Sequence, residues 1–151
     1  ESGDDPNTAD KQEGNVMQTL WLGKNYDAFL LMFNNAINAW TGNWVGYNGA
    51  SINTFEDNCL LGKIYAGWNV TPKLRLEAGY GMAKADQTPA GFVDDDYGSE
   101  FDISASYKIY DNLTYMVGFG YWWVGDYFKG TSSANVIDDN YLLTHRLTLN
   151  F

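Results

Sequence analysis

From residue 59 onward the chain alternates apolar residues with small, polar or charged ones. In "CLLGKIYAGW" (59–68), Leu60, Gly62, Ile64, Ala66 and Trp68 alternate with Cys59, Leu61, Lys63, Tyr65 and Gly67. "LRLEAGYGMA" (74–83) sets Leu74, Leu76, Ala78, Tyr80 and Met82 against Arg75, Glu77, Gly79 and Gly81. "EFDISASYKIY" (100–110) sets Phe101, Ile103, Ala105, Tyr107 and Ile109 against Glu100, Asp102, Ser104, Ser106 and Lys108. "LTYMVGFGYWWV" (113–124) sets Leu113, Tyr115, Val117, Phe119, Tyr121 and Trp123 against Thr114, Met116, Gly118, Gly120 and Trp122. In the last segment, "YLLTHRLTLNF" (141–151), Tyr141, Leu143, His145, Leu147, Leu149 and Phe151 alternate with Leu142, Thr144, Arg146, Thr148 and Asn150. A period of two sends successive side chains to opposite faces of a strand. The pattern therefore predicts five consecutive strands.

The connections alternate in length. "NVTPK" and "DN" are short, whereas "KADQTPAGFVDDDYGS" (84–99) and "GDYFKGTSSANVIDDN" (125–140) are long and polar. Short turns at one end and long loops at the other are typical of outer-membrane barrels, whose periplasmic turns are short and extracellular loops long. Each strand has about the 9–11 residues that a tilted strand needs to cross a bilayer. A half-buried sheet in water gives the same alternation. Two features favour the membrane. Aromatics gather near strand ends (Trp68, Tyr107, Tyr121, Trp123, Tyr141, Phe151), where interfacial girdles belong. The opposite face carries both signs of charge, which suits a wet lumen and is costly in a dry core. "NVT" and "NLT" fall at the short turns and read as turn chemistry.

Upstream of residue 58 the pattern is weak. Residues 1–14 are polar, "YDAFLLMFNNAINAW" has an apolar run with no period of two, and 41–58 is rich in Gly and Asn. Residues 1–57 are expected to form a long extracellular loop region with irregular or short elements, and 58–151 the transmembrane strands. A second arrangement draws three more strands from 15–22, 26–33 and 36–47 and closes a small eight-stranded barrel. Poor alternation there favours the first.

Composition narrows the classes. The chain has 151 residues, with 6 Trp, 11 Tyr, 8 Phe and 16 Gly. Mean hydropathy is only −0.35, and no apolar run approaches the ~18 residues of a membrane helix. A net charge of −10 argues against a nucleic-acid backbone as partner. One cysteine, Cys59, allows no intramolecular disulfide and no cysteine-based zinc site. Asp94, Asp95 and Asp96 form an acidic run on the long-loop side. It is a candidate for weak Ca²⁺ binding or for bridging to lipopolysaccharide, against the plainer reading of a solvated rim. His145 has no second histidine and no Gly-x-Ser-x-Gly segment beside it, so no catalytic triad is expected, and the chain is not read as an enzyme.

The final strand resembles that of outer-membrane β-barrel proteins, which end on an aromatic preceded by apolar residues at every second position. Tyr141, Leu143, Leu147, Leu149 and Phe151 match that pattern. The resemblance implies that the barrel-assembly machinery reads this strand. His145 departs from it and is expected in an aromatic setting toward the outer half of the membrane. More narrowly, "SGDDPNTAD" (2–10), "YDAFLLMF" (26–33) and "NCLLGKIYAGWNVTPKLRLEAGY" (58–80) resemble the C-terminal portion of a Gram-negative porin of the alginate-export kind.

The expected fold is thus all-β, an antiparallel transmembrane β-barrel. The chain would give a C-terminal segment of about five to six strands, completed by the N-terminal part of the same barrel as a separate chain. The expected function is a porin-type channel in the Gram-negative outer membrane, passing small polar or anionic solutes, with lipid and lipopolysaccharide around it. Lys63, Arg75, Glu77, Glu100, Asp102, Lys108 and Arg146 are the candidate pore-lining residues. The alternatives are a small non-channel barrel with a structural or adhesive role, and a soluble ligand-binding barrel.

Overall fold

A computed structural model of the chain describes residues 29–32 and 59–151. Within them the protein is all-β, one antiparallel sheet of five strands. These are β1 (Cys59–Asn69), β2 (Leu74–Ala85), β3 (Asp96–Tyr110), β4 (Leu113–Val124) and β5 (Asn140–Leu149). The spatial order is β1-β2-β3-β4-β5, so each strand pairs with its neighbour in sequence. β1 and β5 do not pair with each other, and the sheet is open. No helix of the described residues is long and apolar enough to cross a membrane.

All five strands lie where the alternation placed them. The short turns have identifiable chemistry. Thr71 and Leu74 exchange backbone hydrogen bonds across Pro72 (Leu74 N–H to Thr71 O, 3.2 Å). Thr71 Oγ1 also accepts the N–H of Lys73 at 3.2 Å and of Leu74 at 3.0 Å. Pro in this position presets the turn, and a hydroxyl one or two residues earlier satisfies its amides. Asp111 and Asn112 alone link the pair Tyr110 and Leu113.

The long loops are shorter than their polarity suggested. β2 continues to Ala85 and β3 begins at Asp96, which leaves 86–95 as the connection. A register shift between Ala83 and Lys84 lets the ladder run on. Gly98 sits at φ 102°, a conformation that glycine tolerates and most residues do not. A bulge of this kind erases the period of two from "DDDYGS", and so the segment reads as loop from sequence. The second loop holds a short 3-10 turn, Asp126–Lys129. The two loops are tied together by Val93 N–H to Gly130 O at 2.8 Å and by Phe92 against Tyr127, ring centroids 5.0 Å apart.

Register sorts the side chains into two faces. One row crosses the sheet as Ile64, Tyr80, Phe101, Tyr121 and Tyr141. The next runs Ala66, Ala78, Ile103, Phe119 and Leu143. Toward the short turns follow Trp68, Leu76, Ala105, Val117 and His145, and then Leu74, Tyr107, Tyr115 and Leu147. No other described element lies over this apolar face, and most of its large side chains are exposed, Ile64 at 76% and Leu143 at 71%.

The opposite face holds the glycines and the charges, and the buried core lies here, at the long-loop end. Phe29, Met32, Cys59, Ala83, Ala85 and Tyr97 are buried together, with Leu61, Trp122 and Tyr127 packed around them. Leu30 and Leu31 form a bend and Met32 a turn, so the described part of the candidate strand 26–33 is not in a strand, and the rest of that segment lies outside the described residues.

Candidate functional site

The candidate site is the polar face. Lys63, Arg75, Glu77, Glu100, Asp102, Lys108 and Arg146 all fall on it by register. They divide into two groups. Glu100, Asp102 and Lys63 lie toward the long loops and are largely covered. Arg75, Glu77, Lys108 and Arg146 lie toward the short turns.

The covered group is organised around the segment 29–32. Glu100 is wholly buried. Its Oε1 accepts the N–H of Leu31 at 2.7 Å, and its Oε2 accepts the N–H of Met32 at 2.5 Å. One carboxylate thereby satisfies two successive amides of a segment that is not in a strand. Hydrogen bonds of this kind contribute about 0.5–1.5 kcal/mol each in net terms. Beside it, Asp102 Oδ2 accepts from Lys63 Nζ at 2.9 Å. Asp102 Oδ1 is buried with no hydrogen-bond partner. Lys63 Nζ also sits 4.8 Å from the centroid of the Phe29 ring, a cation–π distance.

Glycines make the room for this packing. A Cβ on Gly81 would come within 2.7 Å of Phe29 Cζ. A Cβ on Gly120 would come within 2.9 Å of Asp102 Oδ1, 3.1 Å of Leu30 Cβ and 3.3 Å of Glu100 Oε1. On Gly79 it would meet Lys63 Cε at 2.7 Å. The wall is hollowed where the segment and the carboxylates lie against it. Burying Phe29, Leu30 and Met32, each at most 4% exposed, contributes about 1.5–3 kcal/mol per side chain.

The second group is less covered, with Glu77 and Arg146 half-buried. Arg75 holds Glu77 through Nη2 at 2.7 Å and Nε at 3.0 Å, and Asn69 Oδ1 through Nη1 at 3.2 Å. Both partners of that ion pair are nearly half exposed. Arg146 Nη2 reaches Met116 Sδ at 3.2 Å. Lys108 is exposed.

The acidic loop residues do not converge. Asp94 Oδ1 accepts the N–H of Asp95 at 2.7 Å and of Asp96 at 3.0 Å. Asp95 Oδ2 pairs with Lys84 Nζ at 3.2 Å, and Asp96 Oδ1 accepts from Gly98 N–H at 2.7 Å. Among the described residues no three acidic, His or Cys side chains are placed to hold one metal ion. The run folds the loop with its own backbone, which is the role of aspartates in tight turns. Asp94, Asp95 and Asp96, the candidate Ca²⁺ residues, thus each engage a different partner.

His145 is exposed on the apolar face, opposite every carboxylate of the polar one, with its ring 5.8 Å from that of Tyr115. It lies opposite Val117, in the turn-side half of β5. Tyr141, Leu143, Leu147, Leu149 and Phe151 share its face or follow it, and all are exposed. The contact missed in the sequence is Glu100 with residues 29–32. Its separation of 69 and 68 residues leaves no local signal. No known protein family, no curated protein and no solved structure matches this chain.

Proposed function

We propose that the sheet is one arc of a transmembrane β-barrel in a Gram-negative outer membrane, and that the barrel is a porin-type channel for small polar or anionic solutes. The observation that carries this reading is the division of one sheet into an uncovered aromatic face and a charged face. Soluble monomers rarely expose apolar patches larger than a few hundred Å², and a lipid contact removes that cost. The outward ladder from Leu113 to Trp123 extends about 33 Å at ~3.3 Å per residue. At a tilt of ~40° this is a height of about 25 Å, that of the apolar band of such barrels. Outward aromatics lie toward both ends of the strands: Tyr80, Phe101, Tyr121, Trp123 and Tyr141 at one, Trp68, Tyr107 and Tyr115 at the other.

Open edges on β1 and β5 call for further strands, because unpaired backbone is not tolerated in hydrocarbon. We place the N-terminal part of the same barrel there as the partner. The test is conductance of detergent-extracted protein in planar bilayers under a KCl gradient. Unitary steps with a finite reversal potential are expected. Stable insertion without steps selects the second reading, a non-channel barrel of structural or adhesive role. That reading is favoured by the apolar packing of residues 29–32 on the inner wall.

A further inference from the structure

We infer that Glu100 is a positioning residue that seats residues 29–32 against the inner wall of the sheet, so that the long-loop half of this wall is closed to solute. The inference rests on the barrel reading only for the word solute; the latch itself stands on the contacts.

Three observations converge on it. The Glu100 carboxyl reaches two consecutive backbone amides, of Leu31 and Met32, and the residue is fully buried. The segment it holds is apolar and lies against glycines: Phe29 over Gly81, Leu30 over Gly120. The same packing buries Cys59, at 3% exposure, beside Phe29 and Met32. A buried carboxylate that caps loop amides from a strand is costly unless the amides stay in place. Glu100 and the segment therefore hold or release together.

The consequence is a reassignment within the charged face. Glu100 and Asp102 do not meet solute while the segment is seated. Arg75, Lys108 and Arg146, on the turn side, do, with Glu77 the one acid among them. Selectivity then follows that cationic group, in keeping with an anionic solute.

Cys59 makes the latch measurable in the full protein. Its rate of maleimide labelling is read in detergent-extracted, folded material, with folding checked by heat-modifiable migration in SDS. Glu100→Ala is expected to raise the rate at least tenfold. Glu100→Gln, whose amide oxygen still accepts from one or both amides, is expected to stay within about threefold of the unaltered protein. Gly120→Ala, which adds a methyl under Leu30 and removes no charge, is a second route to the same release. Wild-type labelling in both folded Glu100→Ala and Gly120→Ala would overturn the latch. Fast labelling of Glu100→Ala in a protein that never conducts supports the latch and sinks the porin reading. In a protein that conducts, Glu100→Ala is expected to enlarge the unitary step, whereas Arg146→Gln shifts the anion-to-cation permeability ratio without changing the labelling. If Glu100→Gln shifts that ratio as much as Arg146→Gln while Cys59 stays protected, Glu100 faces solute and the inference is wrong.

Discussion

Lys63 and Asp102 form the least exposed ion pair among the described residues, with side chains 17% and 12% exposed. Removing one member leaves the other charged in a poor solvent. Lys63→Met is expected to lower stability by about 1–3 kcal/mol, and the double variant with Asp102→Leu to recover most of it. Arg75 and Glu77 make a shorter contact, 2.7 Å, but are 46% and 43% exposed. Glu77→Ala is therefore expected to cost less than about 1 kcal/mol. Urea unfolding in lipid vesicles compares the two, and equal costs would show that the segment 29–32 does not exclude water from Lys63. The face on which these charges lie was legible from parity alone, since position along an alternating strand fixes it. Their different exposure was not. It depends on a segment some seventy residues upstream, and nothing in "EFDIS" signals that Glu100 has backbone amides to hold.

At the scale of the strand, Leu143 and Thr144 are neighbours in β5 with opposite surroundings. Leu143 pairs with Phe119 on the apolar face, and Thr144 with Gly118 on the polar one. In a barrel wall, Leu143→Arg is expected to cost about 2–4 kcal/mol, the range for a cation near the bilayer midplane, and Thr144→Arg far less. Refolding into vesicles, followed by the shift in SDS migration, measures both. Similar costs would mean that the apolar face does not meet lipid. Turn chemistry gives a smaller test: Thr71 Oγ1 accepts two amides, so Thr71→Ala is expected to cost about 1 kcal/mol. Strands and short turns were legible because a period of two, broken by Thr-Pro-Lys or Asp-Asn, is a local signal. The start of β3 at Asp96 was hidden by its bulge, and the turn at 29–32 is fixed by what it packs against.

At the scale of the molecule, the five strands of the described residues form one open sheet with two edges and two unlike faces. An outer-membrane barrel of bacterial type has about eight strands or more. In native mass spectrometry of gently extracted material, the chain is therefore expected to travel with a further polypeptide, or to carry its remaining strands outside the described residues. In the proposed barrel one face meets lipid and the other a wet lumen. Spin-label accessibility along β4 tests it most directly, with Cys59 replaced by Ala and single cysteines placed from Tyr115 to Trp122 in the membrane-embedded protein. The expected pattern is an alternation: Tyr115, Val117, Phe119 and Tyr121 relaxed by oxygen and shielded from an aqueous nickel chelate, Met116 and Gly118 the reverse. Trp122, packed beside Phe29 and Met32, should be shielded from both, and Gly120 is left unsubstituted because a side chain there would unseat residues 29–32. Nickel access at Val117 and Phe119 equal to that at Met116 would contradict it, and would make this a sheet that lives in water.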